Sequence, residues 1–386
     1  MSDIQYIDTP ERLAELCQRL ANVPWVALDT EFLREKTYYP QFCLLQLATP
    51  DWVACVDPIA LKDLNPLLDI LYSPDIIKVF HSCRQDLEIF YQLRGSVPQP
   101  VFDTQLAAPL LGFQDSTGYA MLVSSFLNIN LNKAYTRTDW SVRPLSTEQL
   151  EYAADDVIYL SKIYLLMGEQ LKQLGRLEWL QDDFKELNDP QLYKLAPENA
   201  WFRIKGKNKL TGKQLSIVQT LSAWREQVAQ AENRPRNWLM RDEMLIEFAK
   251  LQPETIEALN NVRGVHEKMV SRHGKVICQL ITQAKQQAPK PLHDKDKPAK
   301  KTPEQEVILD ILAAIVRLRA EQNRLNPSIL ASRDDLEALL LEPPTGALLQ
   351  GWRRTMVGNE LLSMLDGQIA LTLSRTKITP TSLSVF

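Results

Sequence analysis

The sequence predicts an α/β domain with a mixed sheet, followed by two small all-α helical bundle domains. Short apolar runs typical of strands alternate with helix-like patterns up to about residue 175, whereas only helix-like patterns follow residue 210. With 386 residues and 45% apolar side chains, the chain is too long for one ordinary hydrophobic core. The domains are therefore expected at residues 1–188, 211–286 and 304–376, with linkers at 189–210 and 287–303.

The sheet of the first domain is expected to form from short apolar runs. These runs cover residues 4–6, 25–32, 44–48, 53–56 and 77–81. Helices are expected from Pro10, over 86–93 and over 104–111, the last with Asp103 as its N-cap.

Two helix starts have the spacing of a capping box. Ser82 with Gln85, and Ser146 with Gln149, each place a hydroxyl three residues before a glutamine. The second pair begins a long run of helix formers, which is expected to end at Gly175.

The two helical segments resemble each other. The pairs Arg241-Asp242 and Arg333-Asp334 lie about ninety residues apart, and a proline and a glycine follow each pair at similar distances. A shared ancestral unit is therefore expected, with amphipathic helices packed into small bundles. The lysine- and proline-rich stretch 285–303 is interpreted as a solvated linker, a tether for RNA being the other interpretation.

Two carboxylates lie inside the strand expected at 25–32. Because side chains on a strand alternate between its faces, Asp29 and Glu31 project from the same face. Like charges so close repel each other unless one is protonated or a divalent cation lies between them. A lone pair of this kind also fits a strand end in solvent, so the hypothesis of a metal site depends on further ligands.

Three residues downstream supply those ligands and a hydroxyl group. Asp86 is expected in the first turn of the helix after strand 77–81, and Tyr152 and Asp156 share one face of the long helix. Asp155 is rotated by about 100° from its neighbour and is expected to point elsewhere. Oxygen ligands suit Mg²⁺ or Mn²⁺, and two such ions can activate water and stabilise the leaving oxygen in phosphodiester hydrolysis.

Each residue of this group has an expected role. Asp29 binds both ions, Glu31 assists one of them, and Asp86 and Asp156 complete the two coordination spheres. Tyr152, with an ordinary pKa of about 10, is expected to orient the attacking water by a hydrogen bond and not to act as a base.

Three spaced motifs resemble those of the DEDD superfamily of 3′→5′ exonucleases. They are LDTEF at 28–32, HSCRQDLE at 81–88 and YAADD at 152–156. Glu151 occupies the position where the histidine variant needs histidine, so the last motif resembles the tyrosine variant. Further segments resemble the ribonuclease D family over nearly the whole chain, and residues 221–225 and 234–235 resemble its HRDC domain. The segment 304–376 departs more from that pattern.

The resemblance implies a ribonuclease-H-like fold and a metal-dependent 3′→5′ exoribonuclease that releases 5′-monophosphates. It implies transfer-RNA precursors as substrates and two divalent ions, Mg²⁺ or Mn²⁺, as cofactors. Substrate contacts are expected from Thr30, Phe32, His81 and Arg137. A DNA 3′→5′ exonuclease is one alternative, because this metal chemistry does not distinguish the two sugars. A non-catalytic RNA-binding protein that has kept the fold is the other.

Some residues have two interpretations. His81 either touches a substrate phosphate or is a strand-end histidine satisfied by backbone, and Arg143 belongs to a basic stretch that could clamp the scissile strand. Four tryptophans are interpreted as core residues, base stacking being the other possibility. They are Trp201, Trp224, Trp238 and Trp352.

Composition excludes several classes of protein. No apolar run approaches about eighteen residues and the N-terminus does not resemble a secretory signal. Five scattered cysteines indicate reduced core residues of a cytoplasmic protein. Neither zinc-binding spacing of histidines nor a phosphate loop is present. The net charge of −4 argues against a protein that coats nucleic acid, yet it fits an enzyme that engages a few terminal nucleotides. The chain is expected to be a monomer.

Overall fold

The computed structural model describes residues 4–131, 138–194, 196–289 and 301–382. The first domain contains a six-stranded mixed sheet flanked by helices. The strands are β1 (Ile4–Ile7), β2 (Trp25–Leu33), β3 (Gln41–Thr49), β4 (Trp52–Val56), β5 (Ile77–Phe80) and β6 (Val101–Asp103). The helices are α1 (Pro10–Leu20), α2 (Asn65–Leu71), α3 (Arg84–Arg94), α4 (Thr104–Ala107), α5 (Tyr119–Leu127), α6 (Thr147–Gln173) and α7 (Leu180–Leu187).

The strand order is β1-β4-β3-β2-β5-β6. Strands β2, β3 and β4 form an antiparallel meander, whereas β1 pairs with β4, and β5 with both β2 and β6, in parallel. Strand β2 therefore lies near the middle of the sheet, where both of its faces are covered.

Two hydrophobic layers enclose this sheet. Apolar residues of α1, α2 and α3, such as Leu16, Leu68 and Phe90, pack on the face that carries Val26 and Leu28. The opposite face, which carries Ala27, is covered by α6. Because alternate residues of β2 face α6 and α3, the strand can direct functional groups towards both helices.

The first helical domain consists of α8 (Gly212–Ala231), α9 (Arg236–Leu239), α10 (Asp242–Leu251), α11 (Ile256–Asn260) and α12 (Glu267–Ala284). The preceding segment, predicted to be a linker, contains three short 3₁₀ helices. Its Trp201, Ile204 and Leu210 are buried in the core of this helical domain. Tyr38 joins the domain to the exonuclease part, because its hydroxyl donates a 2.5 Å hydrogen bond to Oε1 of Glu226.

The second helical region consists of α13 (Pro303–Asn323), α14 (Pro327–Leu330), α15 (Arg333–Leu339), α16 (Gly351–Arg353) and α17 (Asn359–Leu365). Helices α8 to α10 and α13 to α15 follow the same order of one long, one very short and one medium helix, as expected for related units. The region does not contain helices alone, as the sequence patterns indicated. It ends in a hairpin of β7 (Ile369–Leu373) and β8 (Ile378–Ser382).

This second region packs on the exonuclease domain. The rings of Trp179 and Trp352 stack with centroids 4.6 Å apart and an interplanar angle of 6°. The guanidinium of Arg176 donates to the carbonyl oxygens of Leu110 and Asn323, one from each side of the contact. The buried residues of the two parts form one continuous hydrophobic cluster. Among the described residues, no helix is apolar and long enough to cross a bilayer.

Candidate active site

Strand β2 brings two of the predicted ligands to one face of the sheet. Asp29 lies opposite Gln46 of β3, Glu31 lies opposite Leu44, and the register shifts immediately after Glu31. Asp156 of α6 approaches from above this face. One carboxylate oxygen from each of Asp29, Glu31 and Asp156 lies within 4.8 Å of the other two. The period-two argument from sequence therefore gives the observed proximity of Asp29 and Glu31.

Asp86 reaches the site from the other face of β2. It lies in the first turn of α3, and its side chain is buried. Thr30, which points opposite to its neighbours, donates a 2.5 Å hydrogen bond from Oγ1 to Oδ1 of Asp86. The charge of Asp29 contributes to the raised pKa of Asp86, after burial as the largest cause. Asp86 therefore lies close to the three-carboxylate cluster and is held there by Thr30.

Helix α6 has a well-defined start. Ser146 and Gln149 form the capping box that the spacing predicts, with Ser146 Oγ accepting from the amide of Gln149. One turn later, the ring of Tyr152 lies 6.2 Å from that of Trp140. Asp156 follows on the same helical face. The N-terminal half of a single helix thus positions the tyrosine and the fourth carboxylate.

The carboxylates have strongly raised pKa values. Burial raises the pKa of Asp29 to about 6. Burial and the neighbouring Asp29, Asp156 and Asp86 raise that of Glu31 to about 9. Burial, Asp29 and Asp155 raise the pKa of Asp156 to about 8. Within the described part of the chain, no lysine or arginine forms an ion pair with these three carboxylates or with Asp86.

This donor set fits a hard divalent cation. All candidate ligands are oxygens, which Mg²⁺ and Mn²⁺ prefer. The thiols of Cys43 and Cys83 are buried, and burial raises the pKa of each. Clustered carboxylates without a compensating positive charge repel one another, and a cation relieves that repulsion.

Comparison with known proteins identifies the family. A family described as 3′-5′ exonuclease matches residues 4–172, and the HRDC domain matches residues 214–281. Over 375 residues the chain is 39% identical to ribonuclease D of Gluconacetobacter diazotrophicus, covering 96% of this chain and 95% of the relative. The chain belongs to the ribonuclease D family.

Two further ribonuclease D proteins resemble it over similar lengths. That of Acidiphilium cryptum is 40% identical over 370 residues, which cover 95% of this chain and 94% of the relative. The crystal structure of Escherichia coli RNase D, described as an exoribonuclease involved in structured RNA processing, matches with a TM-score of 0.81 and 32% identity. The match covers 95% of this chain and 99% of that one.

Membership confirms the predicted class of fold and enzyme. This ribonuclease D family member is a 3′→5′ exoribonuclease, a hydrolase that acts on RNA and depends on divalent metal. Its α/β exonuclease domain with a mixed sheet is followed by a helical region that includes an HRDC domain.

The start of α3 differs from the prediction. Ser82 and Gln85 do not form a capping box, because α3 begins at Arg84 and Ser82 has a left-handed backbone with φ of 62°. The carboxylate of Asp103 instead accepts from the amides of Ser82 and Cys83, at 3.0 and 2.8 Å. The same carboxylate accepts from the amide of Gln105, which confirms Asp103 as the N-cap of α4. Asp103 thus fixes the turn before α3, whose own first turn has no side-chain cap.

His81 has a side-chain partner in place of the backbone partner considered from sequence. Its Nδ1 lies 3.0 Å from Oγ1 of Thr104, whose hydroxyl proton is donated to the carbonyl oxygen of Phe80. Nδ1–H of His81 is therefore the donor to Thr104, which leaves Nε2 unprotonated. Burial lowers the pKa of His81, so the ring is neutral near pH 7. A neutral ring does not provide an ionic contact to phosphate.

The other residues predicted to contact substrate are held by protein partners, partly buried or outside the described residues. The hydroxyl of Thr30 is used by Asp86, and Phe32 is partly buried beyond the shift in register. Arg137 lies outside the described residues. Arg143 is not a free clamp, because it forms an ion pair with the buried Asp57, 2.6 Å from Nε to Oδ2.

Two residues near the site were not singled out from sequence. The hydroxyl of Tyr119 donates a 2.5 Å hydrogen bond to the backbone oxygen of Asp156, and its ring lies beside that of His81. No local pattern around Tyr119 indicates this contact. Gln46 is fully buried directly across from Asp29, and a glutamine within the apolar run of β3 was a visible signal.

Proposed function

We propose that Asp29, Glu31, Asp86 and Asp156 hold two divalent ions, Mg²⁺ or Mn²⁺, and that Tyr152 completes the active site. The observation that carries the proposal is the convergence of three carboxylate oxygens within 4.8 Å, with a fourth carboxylate beside them. Ions bound there supply activation of water and stabilisation of the leaving oxygen. Because the substrate backbone is itself anionic, the uncompensated carboxylates alone would repel it.

The protein groups divide the remaining tasks. The charge of Asp29 raises the pKa of Glu31, of Asp86 and of Asp156, so Asp29 is the carboxylate best placed to serve both ions. Thr30 holds Asp86 in one orientation, and Tyr119 fixes the backbone at Asp156. Tyr152 orients the attacking water through its hydroxyl.

We propose structured RNAs with unpaired 3′ ends, transfer-RNA precursors among them, as substrates, and 5′-monophosphates as products. The E. coli relative described as acting in structured RNA processing supports this class. All five cysteines are free thiols, which is consistent with the reducing cytoplasm where such precursors occur. We propose that the enzyme acts as a monomer.

One digestion tests chemistry and site together. A hairpin with a 3′ tail, synthesised as RNA and as DNA, is incubated with Mg²⁺, Mn²⁺ or EDTA, using the wild type and Asp29→Asn. We expect the wild type to shorten the RNA from its 3′ end with either metal. No shortening is expected for the wild type in EDTA or for Asp29→Asn with either metal. Equal degradation of the DNA would support a DNA exonuclease, and binding without degradation would support a non-catalytic protein.

A further inference from the structure

A buried glutamine without a hydrogen-bond partner lies beside the carboxylate cluster. Gln46 is fully buried in the middle of β3. Among the described residues, neither its Nε2 nor its Oε1 has a hydrogen-bond partner, and no other buried side chain there leaves two polar atoms unpartnered. An unsatisfied buried amide lowers the stability of a fold, so native proteins retain few of them. Gln46 is therefore a candidate for a functional residue.

Gln46 faces helix α6. Its neighbours in sequence, Leu45 and Leu47, belong to the hydrophobic layer formed with α1, α2 and α3. Leu44 and Ala48, two residues away on either side, belong to the layer that α6 covers. Because side chains alternate along a strand, Gln46 lies with Leu44 and Ala48 on the α6 face. This is the face that carries the three-carboxylate cluster.

Asp29 is the polar neighbour of Gln46 across the sheet. The two residues are register partners in the antiparallel pair of β2 and β3. Side chains directly opposite each other on one face start from Cβ atoms about 4.5–5.5 Å apart, which is within reach of a glutamine. On its other side Gln46 lies opposite the buried Cys55 of β4, and a thiol is a weak hydrogen-bonding group. Of these two register partners, Asp29 is the one that offers a strong acceptor.

A neutral amide suits this position better than a cation would. A lysine or arginine beside Asp29 would offset the negative charge that attracts a metal ion. The N–H of an amide stabilises an ionised carboxylate and fixes its orientation, yet it leaves the net charge of the cluster unchanged. An ionised carboxylate has about four acceptor positions, so one donor leaves room for two ions.

We propose that Gln46 is a positioning residue for Asp29, its Nε2 donating a hydrogen bond to the Asp29 carboxylate once that carboxylate holds metal. This inference rests on the proposed two-metal site and adds a residue that orients one of its ligands. Thr30 orients Asp86 on the opposite face of β2, so each face of this strand fixes one ligand. Oε1 of Gln46 accepts from water, which Mg²⁺ sites usually retain. Metal binding therefore satisfies an amide whose burial is unfavourable without it.

Gln46→Met tests the proposal, because methionine has a similar length and no amide. In EDTA its melting temperature should be higher than that of the wild type by at least about 2 °C, since two unsatisfied polar atoms leave the core. Calorimetric titration of the metal-free protein with Mg²⁺ should give a dissociation constant raised by about 10- to 100-fold. Gln46→Leu, an apolar replacement of different shape, should give the same two results. The control Gln173→Met makes the same change at an exposed position of α6 and should alter neither quantity.

A variant that is more stable but binds metal more weakly separates positioning from a structural role. If Gln46 only holds a buried water molecule, Gln46→Met should lower the melting temperature and leave the dissociation constant of Mg²⁺ unchanged. An unchanged dissociation constant would overturn the proposal, whatever the stability. Failure of the wild type to bind Mg²⁺ would instead contradict the proposed metal site. Turnover of a short RNA by Gln46→Met should need about 10- to 100-fold more Mg²⁺ than turnover by the wild type.

Discussion

Oγ1 of Thr30 donates a 2.5 Å hydrogen bond to Oδ1 of Asp86 and thereby links the central strand to the first turn of α3. The bond orients the carboxylate of Asp86, which the neighbouring carboxylates of Asp29, Glu31 and Asp103 repel. Thr30→Val keeps the shape of the side chain but removes the donor. We expect it to lower kcat or metal affinity by about 10- to 100-fold, as for other residues that orient metal ligands. Titration of activity with Mg²⁺ measures both effects.

Thr30→Ser is the matched control, since it retains the hydroxyl. It should restore most of the activity, and wild-type activity in Thr30→Val would show that Asp86 does not need this bond.

Tyr152→Phe tests the role of a single hydroxyl. If that hydroxyl orients the attacking water, its removal should lower kcat by about 100-fold and leave KM for a short RNA within about twofold. Tyr159→Phe removes a hydroxyl from the same helix and should behave like the wild type. A rise in KM with unchanged kcat would assign Tyr152 to substrate binding.

The stability of the metal-free protein should decrease as the pH rises. Asp29, Glu31 and Asp156 have folded pKa values of about 6, 9 and 8, above their ordinary values of 3.8, 4.5 and 3.8. The folded state therefore binds more protons than the unfolded state between about pH 4 and pH 9, and stability is lost through that window. Thermal melting in EDTA from pH 5 to pH 9 measures the effect.

Mg²⁺ should reverse this loss, by about 2.7 kcal/mol at one hundred times its dissociation constant. Asp156→Asn should flatten the pH dependence in EDTA, because one of the repelling charges is gone. The exposed Asp139→Asn is the control and should keep the wild-type slope. A flat profile for the wild type would mean that the cluster is not strained in the absence of metal.

Trp352→Ala should destabilise the whole exonuclease domain. Trp352 is 8% exposed and stacks on Trp179, so truncation should cost about 3–5 kcal/mol in the free energy of unfolding. Denaturant titration monitors the change. Trp238→Ala removes the same ring from an exposed position and should change stability by no more than about 0.5 kcal/mol. Equal losses in the two variants would contradict the packing argument.

The sequence predicted those features that depend on local periodicity. Asp29 and Glu31 project together because a strand alternates, and Ser146 caps α6 because its partner is three residues away. The proximity of Asp156 to them followed from the motif spacing of the family, since the strand and the helix are far apart in sequence.

Features that depend on distant partners were not predictable in this way. Ser82 had the right spacing for a cap, but its backbone is left-handed and Asp103 from the next strand binds the amides of Ser82 and Cys83. The alternation of Ile369, Leu371 and Leu373 was a usable strand signal within a segment interpreted as helical. Whether Trp238 is buried or exposed depends on how the short helix α9 packs, which its four residues do not specify.

The contacts of Arg176 and Trp179 with the second helical region have a practical consequence for recombinant fragments. A fragment that stops at residue 172 or 188 would contain every proposed catalytic residue, yet its apolar surface would be left in water. Such a fragment should bind hydrophobic dyes and precipitate during purification, and its inactivity would say nothing about RNA recognition. Expression trials on this enzyme should therefore keep residues 303–365 attached, even when only the hydrolytic chemistry is under study.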